Sequence, residues 1–384
     1  MLQPLGNKES NRVRVLVGMP TKEARGGINA CEMPFIEALK RYGIEVSEEI
    51  YSYDDKPAHP AQRVARVLRT ARRLRRRIRA ERFDIIHLNT SFDLKAILRD
   101  VTVVFLLGGG QARIFLKFHG SDAHLLQKRH SLLGLVIHRM LARVDGVGIL
   151  SSEERDRFVR ARVTQTKLFI VKNAVEESRV ERDPEFAKRW KIDAEFPALL
   201  FISRFIPAKG LIDVIRACRI VRDSGHQFTL LCVGDGPARR EAEEEVSRAE
   251  LQSNVRFLGF LDEKQANEFY ANSSMLVFPT YHGEGFSMAI FQSVAAGLPI
   301  ITTRIRAAAD YLNEPANCLW VAPRSPAMLA EKITYLLNDT KLREAMGQNN
   351  RRLAAEFAPE VVVSEYIAIY NQLIERSSQR RAEE

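Results

Sequence analysis

Charged side chains and glycines follow three apolar runs in the second half of the sequence. Arg204 and Lys209 come after ALLFIS, the triplet GDG at 234–236 comes after FTLLCV, and Glu284 comes after SSMLVFPT. If the three runs are strands of a parallel sheet, these groups meet at the edge where such sheets bind ligands. The two cations are close enough in the chain to converge on one diphosphate.

Glu284 lies between two glycines and directly before the apolar-periodic stretch MAIFQSVAA, which Gly297 ends. This pattern predicts a carboxylate at a strand-to-helix junction, beside the N–H groups of a helix N-terminus that can bind an anion. The carboxylate itself can accept hydrogen bonds from hydroxyl groups. Recognition of phosphate and of hydroxyls side by side indicates a sugar nucleotide as the ligand.

The first half of the sequence carries two weaker signals of the same kind. Gly26 and Gly27 follow the strand pattern VRVLVGMP, and a glycine pair at a loop-to-helix junction lets backbone approach a phosphate closely. His119 ends the strand pattern RIFLKFHGSD. Taken alone, the glycine pair is equally consistent with a tight turn, and His119 with a side chain that hydrogen-bonds within its own loop.

Both halves alternate strand and helix patterns, which predicts an α/β fold with two doubly wound parallel sheets. At 384 residues the chain is long for one core, so we expect two domains. The charged stretch 177–196 separates the two series. It places the boundary between an N-terminal domain, residues 1–178, and a domain that begins at residue 179. A long helix is predicted over roughly 123–143.

The composition predicts a cytoplasmic protein without a signal peptide or a membrane span. The four cysteines are far apart in apolar contexts, which is typical of reduced core residues. The net charge of +10 is uneven: residues 1–180 hold 33 Lys and Arg against 20 Asp and Glu, whereas the remainder holds 25 against 28. The basic half is therefore the half expected to face an anionic partner.

Residues 61–82 form a basic amphipathic helix pattern. Its apolar positions recur every three or four residues, and arginines fill the other faces. The pattern is consistent with a solvated helix face or with docking on anionic lipid, where each arginine contributes up to about 1 kcal/mol. Nucleic-acid binding is not expected, because no aromatic residue interleaves with the arginines.

Read together, these segments resemble one family. SRFIPAKGLIDVIRA, VGDGP, FLGF and SMLVFPTYHGEGFSMAIFQSVAAGLPIITT are similar, in order and spacing, to motifs of glycosyltransferase family 4 (group 1). These are retaining enzymes of the two-Rossmann-domain GT-B type. GGINA, FHGSD, ILSS and VKNAVE extend the resemblance to the first half. It implies two Rossmann-like domains facing a cleft, and a C-terminal helix, residues 360–384, that crosses back to the N-terminal domain. Residues 179–359 would be the nucleotide-sugar donor domain.

The resemblance also implies roles for individual residues. Glu284 would hold hydroxyls of the donor sugar, Arg204 and Lys209 would bind the diphosphate, and His119 would sit over the sugar near the reacting centre. The remaining donor-binding positions implied by the family are Gly26, Gly27, Gly259, Phe260, Leu261, Phe286, Ser287, Met288 and Gln292.

The implied reaction moves a hexose-type sugar, with retention, from a UDP- or GDP-linked donor to a polysaccharide, lipopolysaccharide or glycolipid acceptor. No cofactor or metal is expected, since the two cations can neutralise the diphosphate and the sequence contains no Asp-x-Asp. In this family the departing phosphate is usually regarded as the base that takes the proton of the acceptor hydroxyl. Localisation is expected to be cytoplasmic, with the inner face of the cell membrane as a candidate surface.

One position departs from the family pattern of two glutamates separated by seven residues. The second position is Gln292, where the family's glutamate binds the ribose of the nucleotide. Glutamine still accepts and donates hydrogen bonds, but it lacks the strength of a charged acceptor. Weaker or altered binding of the nucleotide is therefore expected. The alternative hypothesis is a non-catalytic homologue that only binds sugar nucleotides.

Overall fold

The chain folds into two compact units in the computed structural model. Unit 1 comprises Met1–Ile149, Arg155–Val171 and Val363–Glu384, and unit 2 comprises Leu150–Glu154 and Lys172–Val362. The domain limits expected from the sequence stay a prediction, because contact clusters need not coincide with domains that fold alone. The structure describes residues 13–21, 27–52, 59–107, 111–121, 124–127, 131–177, 181–283 and 285–383.

A six-stranded parallel sheet forms the centre of unit 1. Its strands are β1 (Arg14–Pro20), β2 (Glu45–Ser52), β3 (Ile85–Phe92), β4 (Arg113–Ser121), β5 (Gly146–Ile149) and β6 (Leu168–Ile170). They run in the order β2-β1-β3-β4-β5-β6, and every neighbouring pair is parallel. Strands covered on both faces are near-continuous apolar runs, as β1 is here. Buried polar residues interrupt this pattern in the next two strands of the sheet, His87, Asn89 and Thr90 on β3 and Lys117 in the middle of β4.

Helices connect these strands. They are α1 (Gly27–Arg41), α2 (Pro60–Ala80), α3 (Leu94–Leu107), α4 (His124–Gln127), α5 (Leu132–Arg143) and α6 (Ser152–Arg160), with a 3₁₀ turn at Gln165–Lys167. The helix predicted over 123–143 is wrong as one continuous element. Ser131 begins a new helix there, since its hydroxyl accepts a hydrogen bond of 3.1 Å from the N–H of Gly134.

Unit 2 contains a second parallel sheet of six strands. These are β7 (Ala198–Ile202), β8 (Thr229–Val233), β9 (Val255–Gly259), β10 (Met275–Phe278), β11 (Ile300–Thr303) and β12 (Cys318–Val321). The order is β12-β11-β10-β7-β8-β9, and each neighbouring pair is parallel. β7 and β10 are therefore neighbours at the centre of the sheet, so the loops that follow them leave from adjacent positions on the same edge.

The helices of unit 2 begin and end at residues with clear local signals. Asp262 caps α10 through a reciprocal pair of hydrogen bonds with Gln265, and Gly297 ends α11 in the left-handed conformation. The helices are α7 (Phe186–Arg189), α8 (Leu211–Asp223), α9 (Arg239–Arg248), α10 (Glu263–Asn272), α11 (Met288–Ala296), α12 (Arg306–Tyr311), α13 (Pro326–Asn338) and α14 (Thr340–Ala354). Two 3₁₀ turns occupy Pro207–Lys209 and Ala355–Phe357.

The glycines that follow β8 are required by close packing. A Cβ at Gly234 would lie 1.9 Å from the carbonyl oxygen of Ser203, and a Cβ at Gly236 would lie 2.5 Å from that of Phe205. The N–H of Phe205 donates to the carbonyl of Asp235 at 2.8 Å. Backbone contact between the two loops therefore fixes the position of Arg204, which lies between Ser203 and Phe205.

The last helix, α15 (Pro359–Glu383), returns to unit 1 from Val363 onward. Tyr366, Tyr370 and Leu373 are buried, and the hydroxyl of Tyr370 lies 2.6 Å from Nδ1 of His87 on β3. The predicted crossing of the C-terminal helix is thus confirmed, together with the two doubly wound α/β sheets. No helix among the residues that the structure describes has the length and apolarity needed to cross a bilayer.

Candidate active site

A polar cluster lies at the ends of β3 and β4 beside α1, inside unit 1. We call it the Glu32 cluster, and it consists of Glu32, Asn89, Lys117 and His119, with the Cys31 thiol beside them. The Nζ of Lys117 lies 2.5 Å from Oε1 of Glu32, and both side chains are buried. Nδ2 of Asn89 donates to Oε2 of Glu32 at 3.1 Å, and Oδ1 of Asn89 lies 2.8 Å from Nε2 of His119. One chain of hydrogen bonds therefore runs from α1 through β3 to the end of β4.

The charges of the cluster balance within the protein. Burial alone would raise the pKa of Glu32, but the Lys117 ammonium, with smaller contributions from His119 and His87, lowers it to about 2. Lys117 also lies over aromatic faces, 5.3 Å from the ring centre of Tyr366 on α15. A buried ion pair with this many partners ties α1, β4 and the C-terminal helix together.

His119 is predicted to act near the reacting centre, and the structure places it in this cluster with a nearly buried side chain. Burial, followed by the charge of Lys117, lowers its pKa to about 3. The ring is therefore neutral at physiological pH. Both ring nitrogens have partners within the protein, since Nδ1 lies 3.8 Å from Sγ of Cys31. Among the described residues, the imidazole is arranged to remain neutral rather than to exchange a proton.

Cys31, Glu32 and His119 place potential metal-ligating atoms within 4.8 Å of one another. Oε1 of the Glu32 carboxylate, however, already forms an ion pair with the Lys117 ammonium. The two nitrogens of His119 also face different partners. A cation would have to displace the ammonium, so we interpret the group as a hydrogen-bonded cluster rather than as a metal site.

In unit 2, Arg204 and Lys209 lie in the loop after β7. Arg204 is exposed, whereas Lys209 is buried with its Nζ 5.4 Å from the ring centre of Phe278. The carbonyl of Ala208 accepts a hydrogen bond of 2.9 Å from the N–H of Tyr281, which follows β10. Backbone hydrogen bonding thus joins the loop that carries both cations to the loop that leads to Glu284.

The helix N-terminus predicted to bind an anion is the start of α11. Ser287 occupies the N-cap without a side-chain hydrogen bond, so the first N–H groups of the helix are not capped from that side. Phe286 is buried and stacks on Phe291 with ring centres 3.7 Å apart. Met288 begins the helix, and Gln292, partly buried, lies one turn later on the same face. Packing of Phe286 therefore anchors the start of this helix.

The predicted base-binding positions follow β9. Gly259 adopts a positive φ of 73°, and a Cβ there would meet open space. Its carbonyl accepts a hydrogen bond of 2.7 Å from the N–H of Gly234. Phe260 exposes 53% of its surface, and Leu261 is partly buried. An aromatic ring with half of its surface exposed lies at the end of the edge strand β9.

Two predicted site residues, Glu284 and Gly26, lie outside the described residues. Their neighbours are described. A Cβ at Gly285 would lie 2.9 Å from Cβ of Leu150 and 3.0 Å from Oε2 of Glu154, so only glycine fits beside that segment. Gly27 is exposed as the first residue of α1.

Sequence reasoning missed a buried cation beside the Glu284 loop. Arg306 is buried, adopts a positive φ of 50°, and pairs its NH1 with Oε1 of Glu154 at 3.2 Å. Its NH2 would lie 3.4 Å from a Cβ at Gly283. The only sequence signal was an arginine among alanines, in RAAADYL. Glu32, Asn89 and Lys117 were missed as well, although a lysine in the apolar strand RIFLKF was a usable clue.

Two parallel sheets of this order, with cations and a helix N-terminus at one sheet edge, define a GT-B-type fold. HepE from Anabaena, solved with UDP and glucose, is similar with a TM-score of 0.72 at 17% identity, covering 94% of this chain and 100% of that one. Two family models together match most of the chain: Glycosyltransferase Family 4 matches residues 31–179, and Glycosyl transferases group 1 matches residues 182–353. The chain therefore belongs to the group 1 glycosyltransferases of the family 4 type.

Curated relatives match over shorter stretches. The capsular polysaccharide biosynthesis glycosyltransferase CapM of Staphylococcus aureus is 28% identical over 181 residues, 46% of each chain. The phosphatidyl-myo-inositol mannosyltransferase of Propionibacterium freudenreichii is 24% identical over 254 residues, covering 66% of this chain and 62% of that protein. The matched region thus spans about half of the first and less than two thirds of the second.

Replacing Glu32 with Gln is expected to lower the free energy of unfolding by about 3–5 kcal/mol at pH 7, because it leaves the Lys117 ammonium buried without a counter-charge. Urea denaturation measures the loss. The double variant Glu32→Gln/Lys117→Met is expected to recover part of it. Glu37→Gln is the matched control, since Glu37 pairs with Lys40 on the exposed side of the same helix; its cost should stay below about 1 kcal/mol.

The loss should also depend on pH. The pKa of Glu32 falls from 4.5 to about 2 on folding, so its stabilising contribution is complete above pH 4.5 and disappears as the pH falls towards 2. The difference in free energy of unfolding between the wild type and Glu32→Gln should therefore decrease below pH 4.5. A gap that stays constant through that window, or equal losses for Glu32→Gln and Glu37→Gln, would contradict the assignment.

Proposed function

We propose that this protein transfers a hexose-type sugar, with retention, from a nucleotide-diphospho-sugar to a polysaccharide, lipopolysaccharide or glycolipid acceptor. One observation carries the proposal. The loop with Arg204 and Lys209 is hydrogen-bonded to the loop that leads through Glu284 to α11, at adjacent strands of one sheet. Two hydrogen-bonded loops thereby supply the cations for a diphosphate, the carboxylate for sugar hydroxyls and the helix N-terminus.

The chemistry needs electrostatic stabilisation rather than an enzymic nucleophile. As the bond to the anomeric carbon breaks, negative charge develops on the leaving diphosphate, and Arg204 and Lys209 neutralise it. The departing phosphate then takes the proton of the attacking hydroxyl on the same face of the sugar, which retains the configuration. The reaction in this form uses no metal. Lys209 is held rigidly because it is buried, whereas Arg204 is exposed and can close on the donor.

The first donor to test is UDP-linked, because HepE was solved with UDP and glucose; a GDP-linked donor is the alternative. For the acceptor, relatives named for capsular polysaccharide and for phosphatidyl-myo-inositol support a polysaccharide or glycolipid. A non-catalytic sugar-nucleotide-binding homologue, the second hypothesis, rests on Gln292 alone.

The α2 surface supports a role at an anionic membrane. Its apolar face is buried at Ala71 and Leu74, whereas Val64 near the start of the helix exposes 51% of its surface, so lipid would meet mainly the basic side. Arg73 and Arg77 are occupied by Glu49, at 2.6 and 3.0 Å. The exposed arginines away from Glu49 are Arg63, Arg69, Arg72, Arg75, Arg76 and Arg79.

The neighbouring helices α3 and α5 carry exposed apolar side chains that could belong to the same surface. On α3, Leu94 and Leu98 expose 59% and 61% of their surfaces, and on α5, Leu132 exposes 79%. α2 packs on α3, and α3 packs on α5. Exposed leucines on the helices that adjoin a basic helix are typical of surfaces that bind anionic interfaces.

Arg204→Ala is expected to reduce kcat/KM for sugar transfer about 100-fold or more, because it removes one of the charges that stabilise the leaving group. Release of nucleoside diphosphate gives the rate, and NMR of the product gives its anomeric configuration. Arg240→Ala, at an exposed arginine of α9, is the matched control and should leave the rate unchanged. Glu284→Ala should abolish transfer. A wild-type protein inert with every nucleotide sugar would favour the non-catalytic homologue.

Gln292→Glu is expected to lower the donor KM about fivefold, since a carboxylate accepts a stronger hydrogen bond from a ribose hydroxyl than an amide does. Gln292→Leu, which removes both hydrogen-bonding groups, should raise the KM. Steady-state kinetics at varied donor concentration measures both. Unchanged KM values in the two variants would mean that this position does not touch the ribose.

Replacing Arg69, Arg72 and Arg76 with Gln is expected to weaken binding to anionic vesicles about 100-fold, at about 1 kcal/mol for each arginine. Sedimentation with phosphatidylserine-containing and purely neutral vesicles measures the effect. The control replaces three exposed arginines of unit 2, Arg219, Arg240 and Arg248. Equal binding of the wild type to neutral and anionic vesicles would exclude electrostatic docking.

A further inference from the structure

Asn89, on β3, has an amide orientation that its neighbours determine. Its Nδ2 lies 3.1 Å from Oε2 of Glu32 and 3.3 Å from the carbonyl oxygen of Gly18. A carboxylate and a carbonyl can only accept hydrogen bonds, so the amide nitrogen must face both of them. Turning the amide over would put its oxygen against two other oxygens. The oxygen of Asn89 therefore faces the remaining neighbour, His119.

This orientation determines which ring nitrogen of His119 carries the proton. Oδ1 of Asn89 accepts from Nε2 of His119 at 2.8 Å, and Oε1 of Glu32 lies 3.6 Å from the same nitrogen. Both neighbours are acceptors, which requires an N–H at Nε2. In the neutral ring, Nδ1 then lacks a proton, and the thiol of Cys31 at 3.8 Å is a possible donor to it.

We propose that Asn89 is a positioning residue that holds His119 as the neutral Nε2–H tautomer at the donor sugar. The inference rests on the proposed function, because only the transfer reaction places His119 beside a sugar. Asn89 itself touches no substrate in this scheme. It acts through the imidazole, and Glu32 in turn holds Asn89 by accepting from its amide.

A neutral imidazole suits a reaction whose sugar becomes cationic. The oxocarbenium-like transition state carries positive charge at the anomeric carbon, and an imidazolium beside it would repel that charge. The titratable or charged groups that face His119 from the surrounding elements are Cys31 and Glu32 on α1, His87 on β3 and Lys117 on β4. Burial, followed by the charge of Lys117, lowers the pKa of His119, and Glu32, which raises it, does not offset them.

The tautomer can be observed directly. Long-range ¹H–¹⁵N correlation spectra of the full chain, labelled with ¹⁵N-histidine, distinguish a protonated ring nitrogen from an unprotonated one, and a His119→Gln sample identifies the signal. We expect a single Nε2–H tautomer that does not titrate between about pH 5 and pH 8, given an ordinary histidine pKa of about 6.5. An Nδ1–H tautomer, a mixture of tautomers or an imidazolium in that range would overturn the proposal.

Asn89→Leu removes the acceptor at Nε2. The spectrum should then show mixed tautomers, and kcat should fall about five- to tenfold, the size of one buried hydrogen bond, with little change in donor KM. Thr90→Val is the matched control. It removes a buried hydrogen bond of 2.6 Å to Asp100 from the next residue of the same strand, and it should leave both tautomer and kcat unchanged. A single Nε2–H signal with wild-type kcat in Asn89→Leu would contradict the role.

Asn89→Ala is the second variant, and it serves if Asn89→Leu does not fold. Its methyl group also leaves Nε2 without the amide acceptor, so mixed tautomers and a five- to tenfold lower kcat are again expected. A single Nε2–H signal with wild-type kcat in Asn89→Ala would overturn the proposal.

The two proposals fail differently. A wild-type protein that transfers no sugar would refute the proposed function, yet its spectrum would still report the tautomer of His119. An active enzyme with an Nδ1–H or charged His119 would refute this inference alone.

Discussion

A buried ammonium needs a counter-charge, and this requirement organises unit 1. Lys117 lies in the middle of β4 between Leu116 and Phe118, and its partner on β3 is the uncharged Asn89, so only a group from another element can balance its charge. Glu32 supplies that charge from α1. Once the carboxylate is there, its second oxygen orients Asn89, and Asn89 orients His119. The orientation of His119, which we propose lies beside the donor sugar, thus depends on the Glu32–Lys117 pair.

In unit 2 the equivalent constraint is steric. Backbone of the loop after β7 lies so close to Gly234 and Gly236 that side chains cannot fit between them. A similar restriction holds at Gly285, against Leu150 and Glu154. Gly234, Gly236 and Gly285 are therefore required by packing between loops, and this packing brings together the loops that we propose bind the donor.

Much of the fold could be predicted, because strand and helix patterns depend on local periodicity. The parallel sheets and the returning C-terminal helix are confirmed, and the family motifs identified the loop with Arg204 and Lys209. Pairings between distant residues could not be predicted: Glu32 and Lys117 are 85 residues apart, and no pattern links them. For the same reason the sequence could not show that Glu49 occupies Arg73 and Arg77 of the basic helix. The roles of the site residues stay predictions.

The path of α15 affects how the molecule is made. Tyr366, Tyr370 and Leu373 complete the interior of unit 1, yet they follow all of unit 2 in the sequence. Domains usually fold in the order in which the ribosome releases them. Here unit 1 emerges first but cannot complete its core until residues beyond Val362 have been synthesised. Until then the surface around His87 stays uncovered. The second unit can close its own sheet earlier, so vectorial synthesis reverses the order of completion.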